Sequence, residues 1–284
     1  MKVGIVLSGG FAKGAYQIGV LKAVQSCFNF SDIGVMSAAS IGALNAYSFL
    51  SGRLDEGERI WRELICGEKP VFIGHLMRSA ALQSILDELC TGSPVLGGSL
   101  FVTYYDLSHA KLIYKDIAFV EGSMHAEYLR AAVTLPVVSR PVRIQGRSLY
   151  DGAPVDNIPV YPLLRLDADL LICVYFDNVS YLFENEDFDR RILKCIFPEE
   201  NSLTRSVLVD RKDIDRMVTA GYDRARYLLD SVLAQGTEDK DGIYTAIERT
   251  NAERGKRSFR ITGDVIATNL NRLAGHFSKR QIET

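Results

Sequence analysis

The sequence predicts an α/β protein, a mainly parallel sheet with helices packed on its faces. Three observations carry that class. Val3-Gly4-Ile5-Val6-Leu7 and Ile33-Gly34-Val35-Met36-Ser37-Ala38 are short apolar runs of strand length, and turn residues follow the first at once. Each leads into a segment with helix-compatible apolar spacing, so the order is strand, loop, helix, strand, turn, helix. The 284 residues, 47% hydrophobic and 24% charged, suffice for one large domain with a substantial core, or for a domain with a helical appendage.

The elements follow in order. After the first strand, Tyr16, Val20, Leu21 and Val24 recur at helical spacing. The second strand feeds a helix from Ile41 to Leu50, and Leu54 to Ile65 forms another that carries Trp61. Leu82, Ile85, Leu86 and Leu89 mark the inner face of a helix that ends near Gly92. The stretch from Ile73 to Leu89 reads first as a packed helix, with a lid over the site as the alternative. Phe101 to Tyr105 and Leu112 to Tyr114 are strands joined by a turn, and a helix from Met124 to Val133 stops before Pro136. Val142-Arg143-Ile144 and Ser148-Leu149-Tyr150 flank Gln145-Gly146-Arg147 as a hairpin, and Asp169 to Phe176 is one more apolar strand. After Asp177 the character changes. Asn178 to Asp189 reads as an acidic surface loop, Asp213 to Val232 as a helix, Gln235 to Gly242 as a polar connection, and the remainder as two weaker helical segments. The expected organisation is a core over residues 1–176, with residues 177–284 an acidic loop and mainly helical region packed on it, possible also as one continuous domain.

Composition excludes several function classes. A formal charge of −2 and the absence of a basic tract give no electrostatic case for nucleic acid. Cysteines 27, 66, 90, 173 and 195 are scattered and never paired as Cys-x-x-Cys, which argues against a disulfide framework or a zinc site and suits a reducing compartment. The Val3 to Leu7 run is too short for a signal peptide, and no stretch approaches the length of a membrane span. The expected location is cytoplasmic, with any membrane contact peripheral, at the inner surface. No ligand cluster with EF-hand spacing is present, and no metal or other cofactor is expected.

Two stretches near the start concentrate the chemistry: Leu7-Ser8-Gly9-Gly10-Phe11-Ala12-Lys13-Gly14-Ala15-Tyr16, and Ala38-Ala39-Ser40-Ile41-Gly42-Ala43-Leu44-Asn45-Ala46. In the second, Ser40 stands between small residues on a strand-to-helix turn, the setting of a nucleophile elbow. The turn crowds the positions two before and two after the serine, and Ala38 and Gly42 are small enough. The N–H of Ile41, at the following helix N-terminus, faces the place where an oxyanion forms. Read alone, the string serves equally well with Ser40 as a helix N-cap. Gly9 and Gly10 can supply the other half of an oxyanion hole, since glycine lets backbone approach a ligand without a Cβ in the way. A phosphate loop fits poorly. Lys13 is followed by Gly14-Ala15 rather than Ser or Thr, and glycines at 9, 10, 14 and 19 miss the dinucleotide spacing. A plain structural glycine turn stays open. Asp151, in Tyr150-Asp151-Gly152-Ala153, follows a strand and can accept a proton or orient a base, although Asp-Gly by itself is first of all a turn signal.

Together these pieces resemble the patatin-like phospholipase family, whose pattern is a glycine-rich oxyanion loop with a basic residue, then Gly-x-Ser-x-Gly, then Asp-Gly-Gly or Asp-Gly-Ala. Ala131-Ala132-Val133-Thr134-Leu135-Pro136 is similar to the family's small-residue stretch ending in proline, and Val155-Asp156-Asn157-Ile158-Pro159-Val160 fits as well. The resemblance covers residues 3–176, and beyond them only Asp213-Ile214 through Ala220-Gly221-Tyr222 is weakly similar. It implies a patatin-like three-layer α/β/α core with a helical C-terminal extension. It further implies Ser40 as nucleophile and Asp151 as general base, a dyad without histidine. Gly9, Gly10 and the neighbouring N–H groups of Phe11, Gly14 and Ile41 would hold the oxyanion, with Lys13 assisting. An acyl-enzyme on Ser40 would then be hydrolysed by water. The implied partner is a lipid substrate, a fatty-acyl ester of a glycerolipid, met by peripheral membrane contact. Two positions depart from the pattern. Phe11 replaces the third glycine of the loop, which calls for a negative φ there, and Ala38 replaces the first glycine of the elbow.

Other readings use the same residues. The α/β-hydrolase order of Ser, acid, His is formally met by Ser40, Asp151 and His276, but His276 sits in a polar tail beside Lys279 and Arg280, and Ser40 comes early for that fold. His75, His109 and His125 read as surface or ordinary hydrogen-bonding residues, Asp156 as a loop acid beside Asn157, Trp61 as packing, and Tyr104-Tyr105 as a strand face. An acyltransferase would employ the same dyad, and a binding protein with an impaired site would keep the fold.

Overall fold

The computed structural model describes residues 1–64, 71–72, 80–136, 139–197, 208–234, 236–253, 257–259 and 280–284. The N-terminal part follows the predicted alternation: β1 (Val3–Leu7), α1 (Gly14–Cys27), β2 (Ile33–Ala38), α2 (Ile41–Leu50) and α3 (Leu54–Leu64). A two-residue strand β3 (Val71–Phe72) and α4 (Ala80–Leu89) lead to the antiparallel pair β4 (Ser99–Asp106) and β5 (Lys111–Asp116). Then come α5 (His125–Ala132), the hairpin of β6 (Val142–Ile144) and β7 (Arg147–Asp151), and β8 (Leu170–Phe176). The later elements are β9 (Ser180–Leu182), α6 (Glu186–Asp189), β10 (Ile192–Phe197), β11 (Leu208–Val209), α7 (Arg211–Val232), α8 (Lys240–Ala252), β12 (Arg257–Phe259) and β13 (Gln281–Glu283).

The main sheet has the order β10-β8-β1-β2-β4-β5-β13. From β10 to β4 all neighbours are parallel, β5 runs antiparallel to β4, and β13 is parallel to β5. The result is an α/β fold around a mixed, mostly parallel sheet. The central strands are buried on both faces, which is why they read as continuous apolar runs rather than alternating ones. Successive residues still go to opposite cores. Ile5 and Leu7 join Val20, Leu21, Ile214 and Leu228, whereas Val6 joins Leu163, Tyr175 and Phe183. The first face is covered by long helices, among them α1, α2 and α7. A short 3₁₀ turn over Tyr161–Arg165 and the segment around α6 close the second.

Helices α1 and α7 pack backbone to backbone. A Cβ on Gly19 would lie 2.0 Å from the Val218 carbonyl oxygen, and one on Gly221 would lie 2.1 Å from that of Tyr16. The two backbones therefore touch directly, an approach that any side chain at either position would block.

The region after Asp177 differs from expectation. The acidic stretch 178–189 is no simple surface loop, because Ser180, Phe183, Phe188 and Asp189 are buried and it contains β9 and α6. Strand β10 escaped prediction because Lys194 interrupts its apolar run. That lysine is buried and bonded to Asp189 at 2.7 Å, so its charge is matched inside the protein. At the end of the chain, Gln281–Glu283 pairs with β5 as a strand where a helical segment was expected. His75, Cys66, His276 and the first part of the stretch read as a possible lid lie outside the described residues.

Candidate active site

Strand register brings the two halves of the predicted dyad together. Along one edge of β4, Ser99–Val102 pair with β2, and Tyr104–Asp106 pair with β7, which runs the opposite way. The other edge of β4 is taken by β5. Strands β2 and β7 therefore lie end to end, with their C-terminal tips meeting beside Thr103. Ser40 follows one tip and Asp151 is the last residue of the other. Thr103 bridges them: its Oγ1 donates to the Ala38 carbonyl (3.3 Å), and its own carbonyl accepts from the Gly152 N–H (3.2 Å). The Asp151 N–H donates to the Thr134 carbonyl (2.9 Å), which gives the small-residue stretch ending in Pro136 a definite task.

Ser40 occupies the sharp turn that the elbow requires, with φ +53 and ψ −131, a region that non-glycine residues enter at a cost of about 1–3 kcal/mol. It precedes α2, but its side chain makes no capping hydrogen bond, so the N-cap alternative does not describe it. A Cβ on Gly42 would stand 2.8 Å from the carbonyl oxygens of Leu7 and Ser8, so the demand for a small residue two places after the serine is met by contact with β1. Ala38 is fully buried and paired with Leu7, and its methyl is accommodated.

The Asp151 side chain is almost completely inaccessible, at 1% exposure. Its Oδ1 accepts from the Ala153 N–H (2.9 Å). Oδ2 has no partner within ordinary hydrogen-bond geometry, although the Ser40 hydroxyl lies near enough to favour the ionised carboxylate. That loose pairing is common in unliganded sites and tightens on binding. Burial pushes the carboxyl from the usual 3.8 up to about 7, against the opposing pull of the Ser40 hydroxyl and the Ala153 N–H. A carboxyl poised near neutrality can both take and return a proton there.

The glycine loop is built differently from expectation. Gly9 is clasped by Asn157, donating its N–H to the Asn157 carbonyl (3.3 Å) and accepting from Asn157 Nδ2 (3.4 Å). Gly14 opens α1, and its N–H is taken by the carbonyls of Phe11 and Ala12. Neither amide is available to an oxyanion. The N–H groups of Gly10, Phe11 and Ile41 donate to no other group among the described residues, and they form the candidate donor set. Phe11 has φ +50, not the negative value expected of a residue with a side chain, and it is 40% exposed. The positive φ keeps the conformation that a glycine would adopt there. The Lys13 ammonium stands 5.8 Å from the ring centroid of Phe176.

Other predicted residues fall elsewhere. His125 is bonded through Nδ1 to the Tyr47 hydroxyl (2.9 Å) and through Nε2 to the Val120 carbonyl (3.2 Å), and His109 is bonded to Asp106 (2.6 Å). Asp156 is buried, where it accepts from the Tyr114 hydroxyl (2.6 Å). Sequence reasoning missed Thr103 and Asn157 as parts of the site. Asn157 left one signal, its place directly after Asp156 in the stretch that resembled the family.

The family model described as patatin-like phospholipase matches residues 5–164, more than half of the chain. An uncharacterised NTE family protein of Mycobacterium bovis is 30% identical over 178 residues, which are 61% of this chain and 48% of that protein. The lysophospholipase NTE1 of Chaetomium globosum is 29% identical over 186 residues, 61% of this chain but 12% of the fungal protein. The chain thus spans about half the length of its mycobacterial relative. Among solved structures, VipD from Legionella pneumophila is similar over 98% of this chain and 77% of its own, at 15% identity and a TM-score of 0.49.

Proposed function

The chain belongs to the patatin-like phospholipase family, and we propose that it is a serine acyl hydrolase that cleaves fatty-acyl esters of glycerolipids. One observation carries the reading: Ser40, held at positive φ and not used as a cap, lies beside a buried carboxyl whose second oxygen has no other partner. The order of events follows from the atoms. Ser40 Oγ attacks the ester carbonyl carbon while Asp151 takes the hydroxyl proton. The carbonyl oxygen becomes an oxyanion facing the N–H groups of Gly10, Phe11 and Ile41, with the N-terminus of α2 adding a favourable dipole. Collapse breaks the bond to the glycerol oxygen, Asp151 returns the proton to that leaving alcohol, and the acyl group stays on Ser40. Water, deprotonated by Asp151, then releases the fatty acid and restores the serine. A base near neutral pKa suits both proton transfers.

The name of the fungal relative favours a lysophospholipid among the glycerolipids. Such substrates reside in lipid surfaces, so peripheral contact with a membrane, on its cytoplasmic side, belongs to the proposal. No described helix is long and apolar enough to cross a membrane. We assign the chemistry to residues 1–176 and a supporting role to residues 177–284.

The test is labelling with a fluorophosphonate, followed by peptide mapping and a screen of glycerolipid esters. Label on Ser40 that disappears in Ser40→Ala and Asp151→Asn, with fatty-acid release lost in parallel, is the expected result. A folded wild-type protein that takes no label and releases no fatty acid would sink the reading.

A further inference from the structure

Behind the glycine loop lies a buried chain of side-chain amides that the mechanism leaves unused. The indole Nε1–H of Trp61 on α3 donates to Asn45 Oδ1 (2.9 Å). Asn45 Nδ2, on α2, donates to Gln17 Oε1 (2.8 Å) and to the Gly14 carbonyl (2.9 Å). Gln17 Nε2, on α1, donates to the carbonyl of Ser8 (2.7 Å), the residue directly before Gly9. Gln17, Asn45, Trp61 and Ser8 are all buried.

The chemistry of the two ends dictates the orientation of everything between. Indole nitrogen can only donate and a peptide carbonyl can only accept, so both amides must point the same way, donor after acceptor, from α3 to the loop. Aligned amides in a low-dielectric interior polarise one another and strengthen each bond. Removing a member leaves buried polar groups unpaired, which is destabilising. A core that only needed filling would use apolar side chains of the same size at these positions. The Ser8 carbonyl is also where β1 ends: the Ser8 N–H still pairs with Val174 of β8 (3.0 Å), and its carbonyl is the first group to leave the sheet.

We propose that Gln17, Asn45 and Trp61 are positioning residues. They hold the Ser8 carbonyl and so aim the peptide units of Gly9, Gly10 and Phe11, setting the direction of the oxyanion donors from a helix two elements away. This inference rests on the hydrolase reading for its effect on rate, but not for its effect on the loop. The Asn157 clasp holds Gly9 and the amide chain holds Ser8 on the sheet side, while the carbonyls of Gly10 and Phe11 accept from the N–H groups of Lys13 (3.1 Å) and Gly14 on the helix side.

The experiment compares wild type with Gln17→Met, which keeps the shape and removes both amide bonds, and with the gentler Trp61→Phe, which removes only the first donor. Two readouts are taken. Amide hydrogen exchange is followed in peptides spanning residues 8–13. Turnover is measured on a soluble ester and its thiono analogue, whose carbonyl sulfur is a weak hydrogen-bond acceptor and gains little from oxyanion donors. In Gln17→Met, exchange at the loop is expected to accelerate. Its kcat on the oxygen ester is expected to fall about 10- to 100-fold, with little change in KM and a much smaller loss on the thiono ester. Trp61→Phe should shift both readouts in the same direction by less. A merely structural role would lower stability and leave the ratio of the two esters unchanged. Unaltered exchange and an unaltered ratio in folded Gln17→Met overturn the proposal. Should that variant not fold, the same result in Trp61→Phe overturns it. A wild type without Ser40-dependent turnover overturns the hydrolase reading alone, and the exchange measurement then still decides whether the amide chain holds the loop.

Discussion

The two sides of the site are held by different kinds of bond. Ser40 and Asp151 stand at the tips of two strands that share one edge of β4, so their separation is set by sheet register and by the backbone contacts around Thr103. The glycine loop has left the sheet, and its carbonyls at Ser8 and Gly9 are held by side chains, those of Gln17 and Asn157. A geometry carried by backbone pairing tolerates single substitutions, because no side chain is essential to it. A geometry carried by side-chain amides does not. The dyad should therefore withstand the loss of a neighbouring side-chain bond so long as Gly42 is kept, and the glycine loop should be disturbed by changing residues that never touch substrate.

The comparison can be broken at its strongest point first. Ser40→Ala is expected to lower kcat by about a millionfold, to background, and Asp151→Asn by about 100- to 10,000-fold, both read by fatty-acid release. The pH profile comes next. The Asp151 carboxyl must be ionised to act as base, and burial holds it up to about 7. The rate is expected to rise about tenfold per pH unit below that value and to level off above it, and a profile flat from pH 5 to pH 8 would contradict the role.

The same shift bears on stability with a definite sign. Between 3.8 and 7 the folded protein binds a proton that the unfolded chain has released, so this group's contribution is full below 3.8 and is lost as pH rises through 7. The lost contribution is on the order of 4 kcal/mol, from about three pKa units at 1.36 kcal/mol each. Asp151→Asn should accordingly melt above wild type at pH 8 and approach it near pH 4. Smaller effects separate the two sides of the site. Asn157→Ala, which removes the side-chain half of the Gly9 clasp and keeps the backbone half, should cost up to about tenfold in kcat, as a misplaced loop does. Thr103→Val removes a single side-chain bond of 3.3 Å while the backbone pairing stays, so activity should hold within about twofold and stability fall by roughly 1 kcal/mol. A larger loss of activity in Thr103→Val than in Asn157→Ala would reverse the comparison.

What the sequence disclosed divides along the same line. Ser40 and Gly42 were legible because a sharp turn restricts residues within a few places of itself, and that restriction is local. Asp151 was singled out by the resemblance instead, since Asp-Gly alone is a turn signal. Thr103 and Asn157 were not legible, because their partners are defined by strand register and by a loop more than a hundred residues away. Trp61 was rightly read as buried, but nothing near it in the chain announces that its N–H begins a chain of amides. Phe11 misled in the opposite direction. A bulky residue argues for negative φ, yet the surrounding structure imposes +50. Strand β10 was hidden by Lys194, whose partner Asp189 lay in a stretch that composition marked as solvent-exposed.

The backbone contact of Gly19 with Gly221 has a consequence for how the protein is made. Helix α1 carries the glycine loop at its start, and α7, about two hundred residues later in the chain, covers one of its faces without an intervening side chain. During synthesis the nucleophile and the base both emerge well before α7 does. Until residue 232 has left the ribosome, a stripe of α1 that includes Gly19 is bare, and contacts of such long sequence separation form slowly. The nascent chain would thus stay incomplete, with that stripe of α1 open to chaperones, until α7 has been translated.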